Sequence, residues 1–365
     1  MKFIIVEPAY PINSRTERFY QSIVNEFGEN SIKVICWNRD GRPLLHKMNY
    51  IVYDEIVGYG NPKAKLNGLR GFKKFLKRNL LSEHPDFILA SHWDSLILSA
   101  MVKPKFSKLI YENLDMPTGH FPVRHVLRVL EKWALGRTDC ITFASRFFIP
   151  KYTSFKREKL LIENKLPKSM CSPIPEKEDN GILRICFLGV VRHAVIMENL
   201  MEAISNIEDV QFDIFGGGPF YDDIKRIAEC YSNVIMHGPY NYNDIPDIYA
   251  QADLIWAVYP YHDYNVKLAI SNKFHETLHF GVPGIFCKGT KLGDMVNEKK
   301  IGLVVDCDSV EDIHDVISNY KKNKKNLSTE ININITNFLA QENSCWEDEF
   351  KPFMNYIRKN IGWEK

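Results

Sequence analysis

The stretch Ser271-Asn272-Lys273-Phe274-His275-Glu276-Thr277-Leu278-His279-Phe280-Gly281 concentrates more usable chemistry than any other part of the chain. Its pattern predicts a helix over 273–280, with Ser271 or Asn272 as the N-cap and Gly281 as the stop. Lys273 and Glu276 then fall three residues apart on one face. A helix start preceded by Ser-Asn turns free backbone N–H groups outward, which suits an anion. Lys273 would add a positive charge for phosphate, and Glu276 could accept hydrogen bonds from the two hydroxyls of a ribose. The plainer alternative is a surface Lys–Glu pair, contributing roughly a few tenths of a kcal/mol.

Other loops carry fewer candidates. Glu112, Asp115 and His120 follow the strand-like run Lys108–Tyr111, so they stand at a strand's carboxyl end. Asp115 reads equally well as a turn or cap residue ahead of a proline. Ser14 and Arg15 occupy the first strand-to-helix loop, and Arg192 with His193 follows Gly189 after another apolar run. His92, beside Trp93 and Asp94, reads as an ordinary loop residue, and His237 and His279 as parts of apolar elements. No Gly-Lys-Ser/Thr follows any predicted strand, which excludes a Walker phosphate loop. The first strand leads into Glu7-Pro8-Ala9-Tyr10-Pro11 instead of Gly-x-Gly-x-x-Gly, so a dinucleotide turn is missing too.

These loops need a frame, and the apolar runs supply it. Phe3–Val6, Ile32–Trp37, Asn49–Tyr53, Phe87–Ala90, Lys108–Tyr111 and Cys140–Phe143 read as strands, with helical patterns at 68–80, 94–102 and 124–136 between some of them. Short continuous apolar runs suit strands buried on both faces of a parallel sheet. Residues 166–180, with three prolines and a charge cluster, break the rhythm as a linker does. It restarts with strands at Leu183–Leu188, Val210–Phe215, Val234–His237, Leu254–Val258, Gly284–Cys287 and Gly302–Val305, and a helix over Glu198–Ile207. The expected architecture is α/β: two Rossmann-like, doubly wound parallel-sheet domains facing a cleft. The boundaries expected are 1–170, a linker at 171–182, 183–344, and a final helix over 345–365. Ligands in such folds bind outside the carboxyl ends of the strands.

Length and composition agree with two globular domains. The 365 residues are 45% hydrophobic and 25% charged, which excludes a disordered or collagen-like chain. A net charge of +2 argues against a dedicated nucleic-acid binder. Eight scattered cysteines, with no Cys-x-x-Cys pair, read as reduced and mostly buried thiols of a cytoplasmic protein. The four apolar residues after Met1-Lys2 are too few for a signal peptide, and no run approaches the ~18 of a spanning helix. Residues 63–80 combine Lys63, Lys65, Arg70, Lys73, Lys74, Lys77 and Arg78 with Phe72, Phe75, Leu76 and Leu80. Such a helix could lie on anionic lipid, with binding weakened by salt, or be a solvated face packed by its apolar residues.

The segment Asn272–Leu278, with Gly281-Val282-Pro283 after it, resembles the nucleotide-sugar segment of GT-B glycosyltransferases. More narrowly it is similar to family-4-like bacterial enzymes of surface (capsular and exo-) polysaccharide assembly, where the segment runs Pro-Asn-Lys-x-x-Glu. Phe187-Leu188-Gly189 with Arg192, the strand end Phe215–Pro219, and Ile245–Tyr249 with Ala252-Asp253 occur in the order that the resemblance requires. The likeness is good over 185–310 and looser over the N-terminal half. It implies that Glu276 holds the donor ribose while Lys273 and Arg192 neutralise the diphosphate, with Ser271, Asn272, Gly189, Tyr240 and Gly217 around the donor. It implies protein cations in place of a metal ion, no cofactor, and a UDP-sugar as the favoured donor. The acceptor and any catalytic base would come from the N-terminal half. There Asp115 ranks first, His120 second and Glu112 third, with Ser14 and Arg15 as acceptor or phosphate contacts. The last helix would cross back onto the N-terminal domain.

Some positions depart from the family pattern. Leu268 stands where many retaining members carry a Glu, so the stereochemistry stays open. Val190 and Val195 replace an Arg and a Lys of the loop after Gly189, and Arg192 is the substitute. The reading that follows is sugar transfer from a nucleotide-diphosphate sugar to a glycan acceptor, polyprenyl-diphosphate-linked, by a cytoplasmic enzyme peripheral to the plasma membrane's inner face. An epimerase on the same scaffold and a non-catalytic binding or assembly protein are the alternatives.

Overall fold

In the computed structural model the chain divides into two compact units, Met1–Ile162 and Glu163–Lys365. The structure describes residues 1–44, 48–57, 62–175, 177, 180–342 and 345–361, and for 62–66 the backbone alone. Lys63 and Lys65 of the basic stretch therefore lie outside the described side chains.

The first unit holds strands β1 (Phe3–Glu7), β2 (Ile32–Trp37), β3 (Tyr50–Tyr53), β4 (Phe87–Ser91), β5 (Lys108–Asn113), β6 (Cys140–Phe143) and β7 (Glu158–Leu161). Helices α1 (Ser14–Phe27), α2 (Pro62–Glu83), α3 (His92–Val102) and α4 (Val123–Leu135) connect them. The strands form one parallel sheet in the order β3-β2-β1-β4-β5-β6-β7. Burial on both faces explains why β1, β4 and β6 are nearly all apolar. The sheet order reverses between β1 and β4, the place where doubly wound sheets open a crevice.

The second unit repeats the plan with β8 (Leu183–Leu188), β9 (Val210–Phe215), β10 (Val234–Gly238), β11 (Leu254–Trp256), β12 (Gly284–Cys287) and β13 (Leu303–Val305). Its helices are α5 (Ala194–Ile204), α6 (Tyr221–Ala228), α7 (Ile245–Gln251), α8 (Asn272–Phe280), α9 (Lys291–Lys299), α10 (Val310–Lys322), α11 (Lys324–Leu339) and α12 (Trp346–Asn360). The parallel order is β10-β9-β8-β11-β12-β13, which puts the switch point between β8 and β11. Helix α12 is fastened to the segment that opens this unit. The Trp346 N–H donates to the Leu166 carbonyl, and Glu349 accepts from the Glu163 N–H. Buried Lys165 bridges Glu342 and Glu349 at 3.2 and 3.4 Å.

Three sequence expectations are corrected here. Strand β5 runs on through Glu112 and Asn113 instead of ending at Tyr111, so Glu112 is a buried strand residue and not a loop carboxylate. A charge can sit there because Arg15 meets it. Helix α5 covers Ala194–Ile204 and not Glu198–Ile207. Within α2, Phe72, Leu76 and Leu80 are fully buried, Phe72 against Trp37, so this apolar face belongs to the core and is closed to lipid. All eight cysteines are free thiols, six of them buried. No helix among the described residues is long and apolar enough to cross a membrane.

Candidate functional site

Helix α8 starts as the sequence predicts, with Ser271 as N-cap and Gly281 as a left-handed C-cap at φ 66°. Its two charged residues are not a surface pair. Lys273 is 8% exposed and Glu276 6%. Each turns to a different tyrosine. The Lys273 Nζ donates to the Tyr259 hydroxyl at 2.8 Å, and the Tyr249 hydroxyl donates to Glu276 Oε2 at 2.9 Å. No described carboxylate forms an ion pair with Lys273. A buried ammonium answered by one neutral hydroxyl is an unfavourable arrangement unless an anion joins it.

The ammonium also sits at the sheet's switch point. Tyr259 follows β11, and Gly189 follows β8. Gly189 has φ 136°, and a Cβ there would come within 3.1 Å of the Lys273 Nζ. Its lack of a side chain lets the cation reach the crevice. The neighbouring glycine turn locks onto this loop. The Val191 N–H donates to the Gly217 carbonyl at 2.9 Å and the Gly189 N–H to the Phe215 carbonyl at 2.9 Å. Gly217 thus contributes a backbone acceptor, while Gly216 carries the steric demand: its Cβ would fall 1.8 Å from the Gly189 oxygen. Gly216→Ala should therefore destabilise the second unit by at least about 3 kcal/mol. Denaturant unfolding checks this, and a midpoint within error of wild type would contradict the turn's tight packing.

Arg192 is exposed in the same loop, beside half-buried His193. Burial first, then the Arg192 charge, holds the His193 imidazole below its ordinary range. Phe187, Val190, Arg192, His193, Val258 and Tyr259 line a small pocket next to the Lys273 crevice. Tyr240 stands near Glu276: burial, then the Glu276 charge, pushes its phenol up to about 12. Fully buried Tyr249 is raised well above its usual value by the same two causes. The Ser271 hydroxyl is a buried atom with no hydrogen-bond partner among the described residues, and the Asn272 Oδ1 accepts from Asn164 at 2.6 Å. Leu268 is buried. Tyr249 and Tyr259, the hydrogen-bond partners of Glu276 and Lys273, are residues of the candidate site that sequence reasoning did not single out. Tyr259 carried a signal, since it follows an apolar run at a strand's carboxyl end.

In the first unit the sequence candidates separate. Arg15 Nε donates to Glu112 Oε1 at 2.6 Å, and the pair is buried. Glu112, expected as the third-ranked base, and Arg15, expected as an acceptor or phosphate contact, are paired with each other. Ser14 is exposed at the start of α1. Asp115 is half-buried just beyond β5, with its carbonyl accepting from Asn113, and His120 is exposed farther along the loop. The residue that reasoning missed is Glu7. It ends β1 at the switch point, 1% exposed, and its Oε2 accepts from Thr16 Oγ1 at 2.7 Å and Asn13 Nδ2 at 2.9 Å. Its Oε1 lies 3.9 Å from Nε2 of His92, which begins α3 at the end of β4 with φ 66°. Burial, partly offset by His92 and Thr16, pushes the Glu7 carboxyl up to about 7. The metal-capable group among the described residues, Asp306, Cys307 and Asp308, follows β13, and Asp308 Oδ2 accepts from His262 Nε2 at 2.8 Å.

The fold has known counterparts. Residues 183–323 match the family described as glycosyl transferases group 1. No curated protein sequence matches the chain. Among solved structures, sucrose-phosphate synthase from Thermosynechococcus elongatus superposes with a TM-score of 0.73 at 12% identity, covering 100% of both chains. Anabaena Alr3699/HepE in complex with UDP-glucose gives 0.70 at 12%, covering 98% of this chain and 100% of that one. The lipopolysaccharide outer core galactosyltransferase WaaB gives 0.63 at 13%, covering 98% and 99%. The protein therefore has the GT-B fold, and residues 183–323 of its second unit are similar to a group 1 glycosyltransferase domain.

Proposed function

We propose that this glycosyltransferase moves a sugar from a UDP-sugar to a glycan acceptor that is lipid-linked, in bacterial surface-polysaccharide assembly. The observation that carries the donor half is the buried Lys273 ammonium at the β8/β11 crevice with a lone hydroxyl partner. A diphosphate supplies the missing anion. Arg192 is the second cation within the same loop system, so the scheme neutralises the leaving group with protein charges and no metal ion. Glu276 accepts from the ribose hydroxyls, with Tyr249 fixing its carboxylate and Tyr240 beside it. The UDP-glucose bound by HepE supports the choice of nucleotide, and WaaB supports a lipid-linked acceptor.

For an inverting transfer the acceptor hydroxyl needs a base. We assign this to the His92–Glu7 pair, with His92 reaching the acceptor and Glu7 behind it, and keep Asp115 and His120 as acceptor contacts. The donor assignment is tested by thermal unfolding of wild type and Glu276→Gln with UDP, 2′-deoxy-UDP, GDP, ADP and CMP, without added metal. UDP at about a hundred times its Kd should add about 2.7 kcal/mol to wild type. The variant, lacking a charge-assisted bond, should bind UDP on the order of tenfold or more weakly and respond alike to UDP and its deoxy analogue. No shift by any diphosphate would favour a binding or assembly protein without donor chemistry.

A further inference from the structure

Helix α4 is amphipathic with its apolar stripe turned outward. Phe121 just before it is 80% exposed, and Val123, Val126, Val129 and Trp133 along it are 56, 54, 55 and 38% exposed. These spacings keep the four helix residues within one face. The helix holds the sheet with its other side, where Glu131 and Ala134 are buried. Glu131, the sole acid between residues 116 and 138, spends its carboxylate inward, accepting from the Tyr152 and Tyr111 hydroxyls at 2.6 and 3.2 Å. The outward surface is left basic: Arg124, Lys132 and Arg137 are exposed, with the Arg137 guanidinium 4.1 Å over the Trp133 ring, while half-buried Arg128 acts on Glu131. A contiguous row of exposed valines flanked by a phenylalanine and a tryptophan marks an interaction surface.

We propose that α4 and the loop before it are a lipid-docking surface that seats the first unit on an anionic membrane. Charge complementarity selects this occupant. An acid-free basic face beside an apolar stripe with an aromatic residue at each end fits the headgroup boundary of anionic lipid. The stripe dips into the acyl boundary while the arginines and the lysine stay at phosphate level. Helix α2 is a weaker candidate for this role, because Phe72, Leu76 and Leu80 are in the core and, among its described side chains, Leu81 is the one large apolar residue exposed. Docking through α4 needs no nucleotide, so its test is independent of the donor assignment.

The experiment is co-sedimentation of the full chain, free of nucleotide, with vesicles of phosphatidylcholine alone or with about one third phosphatidylglycerol, at low and at physiological salt. Wild type should pellet with the anionic vesicles and far less with the neutral ones. The doubly substituted Val126→Asp/Val129→Asp chain should lose roughly tenfold or more of that partitioning at an unchanged melting temperature, because both side chains are already exposed. Lys74→Gln/Lys77→Gln on α2 should stay closer to wild type than the α4 variant does. Equal binding by the α4 variant, loss confined to the α2 variant, or no binding by wild type would each overturn the proposal. So would a wild-type dimer that the α4 variant breaks without any vesicle binding, which would assign the stripe to a second copy of the chain.

Discussion

Lys273→Met should leave the protein at least as stable as wild type and remove its response to UDP. The two halves of that result come from one fact. The ammonium is buried with one hydrogen bond, to the Tyr259 hydroxyl, and the faces of the Phe187 and Tyr259 rings about it, so no negative charge offsets its desolvation. A methionine fills a similar volume without a charge to desolvate, and replacing a buried charge by an apolar group is neutral or stabilising. With a diphosphate bound the balance reverses, because a charge in a partly dry crevice acts strongly on developing negative charge. Removing it should lower turnover by about 10²–10³-fold, equivalent to about 2.7–4 kcal/mol. Thermal unfolding with and without UDP, alongside donor turnover, separates these effects. A variant that melts several degrees lower and still responds to UDP would make Lys273 a structural residue. Arg192, exposed and free to swing, should matter less to stability.

The Lys273–Glu276 spacing was readable because helix periodicity is local, and the resemblance pointed to the same residues. Their burial and their tyrosine partners were not, since Tyr249 comes from α7 and Tyr259 from beyond β11. The strands were equally local. Apolar runs such as Phe3–Val6 and Leu183–Leu188 mark sheets covered on both faces, and those runs matched β1 and β8 within a residue. Strand β7 escaped because it is the sheet edge and reads Glu-Lys-Leu-Leu, two charges in four residues. The end of β5 escaped for a different reason. A glutamate inside a strand contradicts the pattern unless a cation meets it, and here the cation is Arg15, 97 residues away. The same blindness turned α2 into a lipid candidate and passed over α4. Both helices read as amphipathic and basic, and only packing shows that one spends its apolar face on the core while the other presents it to solvent.

Glu7 yields the second large effect, and its sign depends on where the proton binds. The folded-state pKa of about 7 stands above the ordinary 4.5. Below pH 4.5 the carboxyl is protonated whether folded or not, and its contribution to stability is fully present. As pH rises through 4.5 to 7 the unfolded chain releases the proton first, and stability falls by about 3 kcal/mol across that window. The groups that face Glu7 are His92, Glu112 with its partner Arg15, and Cys36 across the sheet, whose thiol burial and then the Glu7 charge push up to about 12. Glu7→Gln keeps hydrogen-bonding atoms for Thr16 and Asn13 and never charges. It should therefore melt higher than wild type at pH 8, by on the order of 5–10 °C for a unit of this size, and lose the decline between pH 4.5 and 7. If the His92–Glu7 pair accepts the acceptor's proton, the same substitution should lower kcat by about 10²-fold or more and erase the limb of the pH–rate profile near 7. A more stable variant with an unaltered kcat would leave Glu7 as a buried structural carboxyl and return the search for a base to Asp115 and His120. A less active and more stable one is the signature of a strained, charged group kept for chemistry, and the left-handed backbone of His92 beside it fits that pattern.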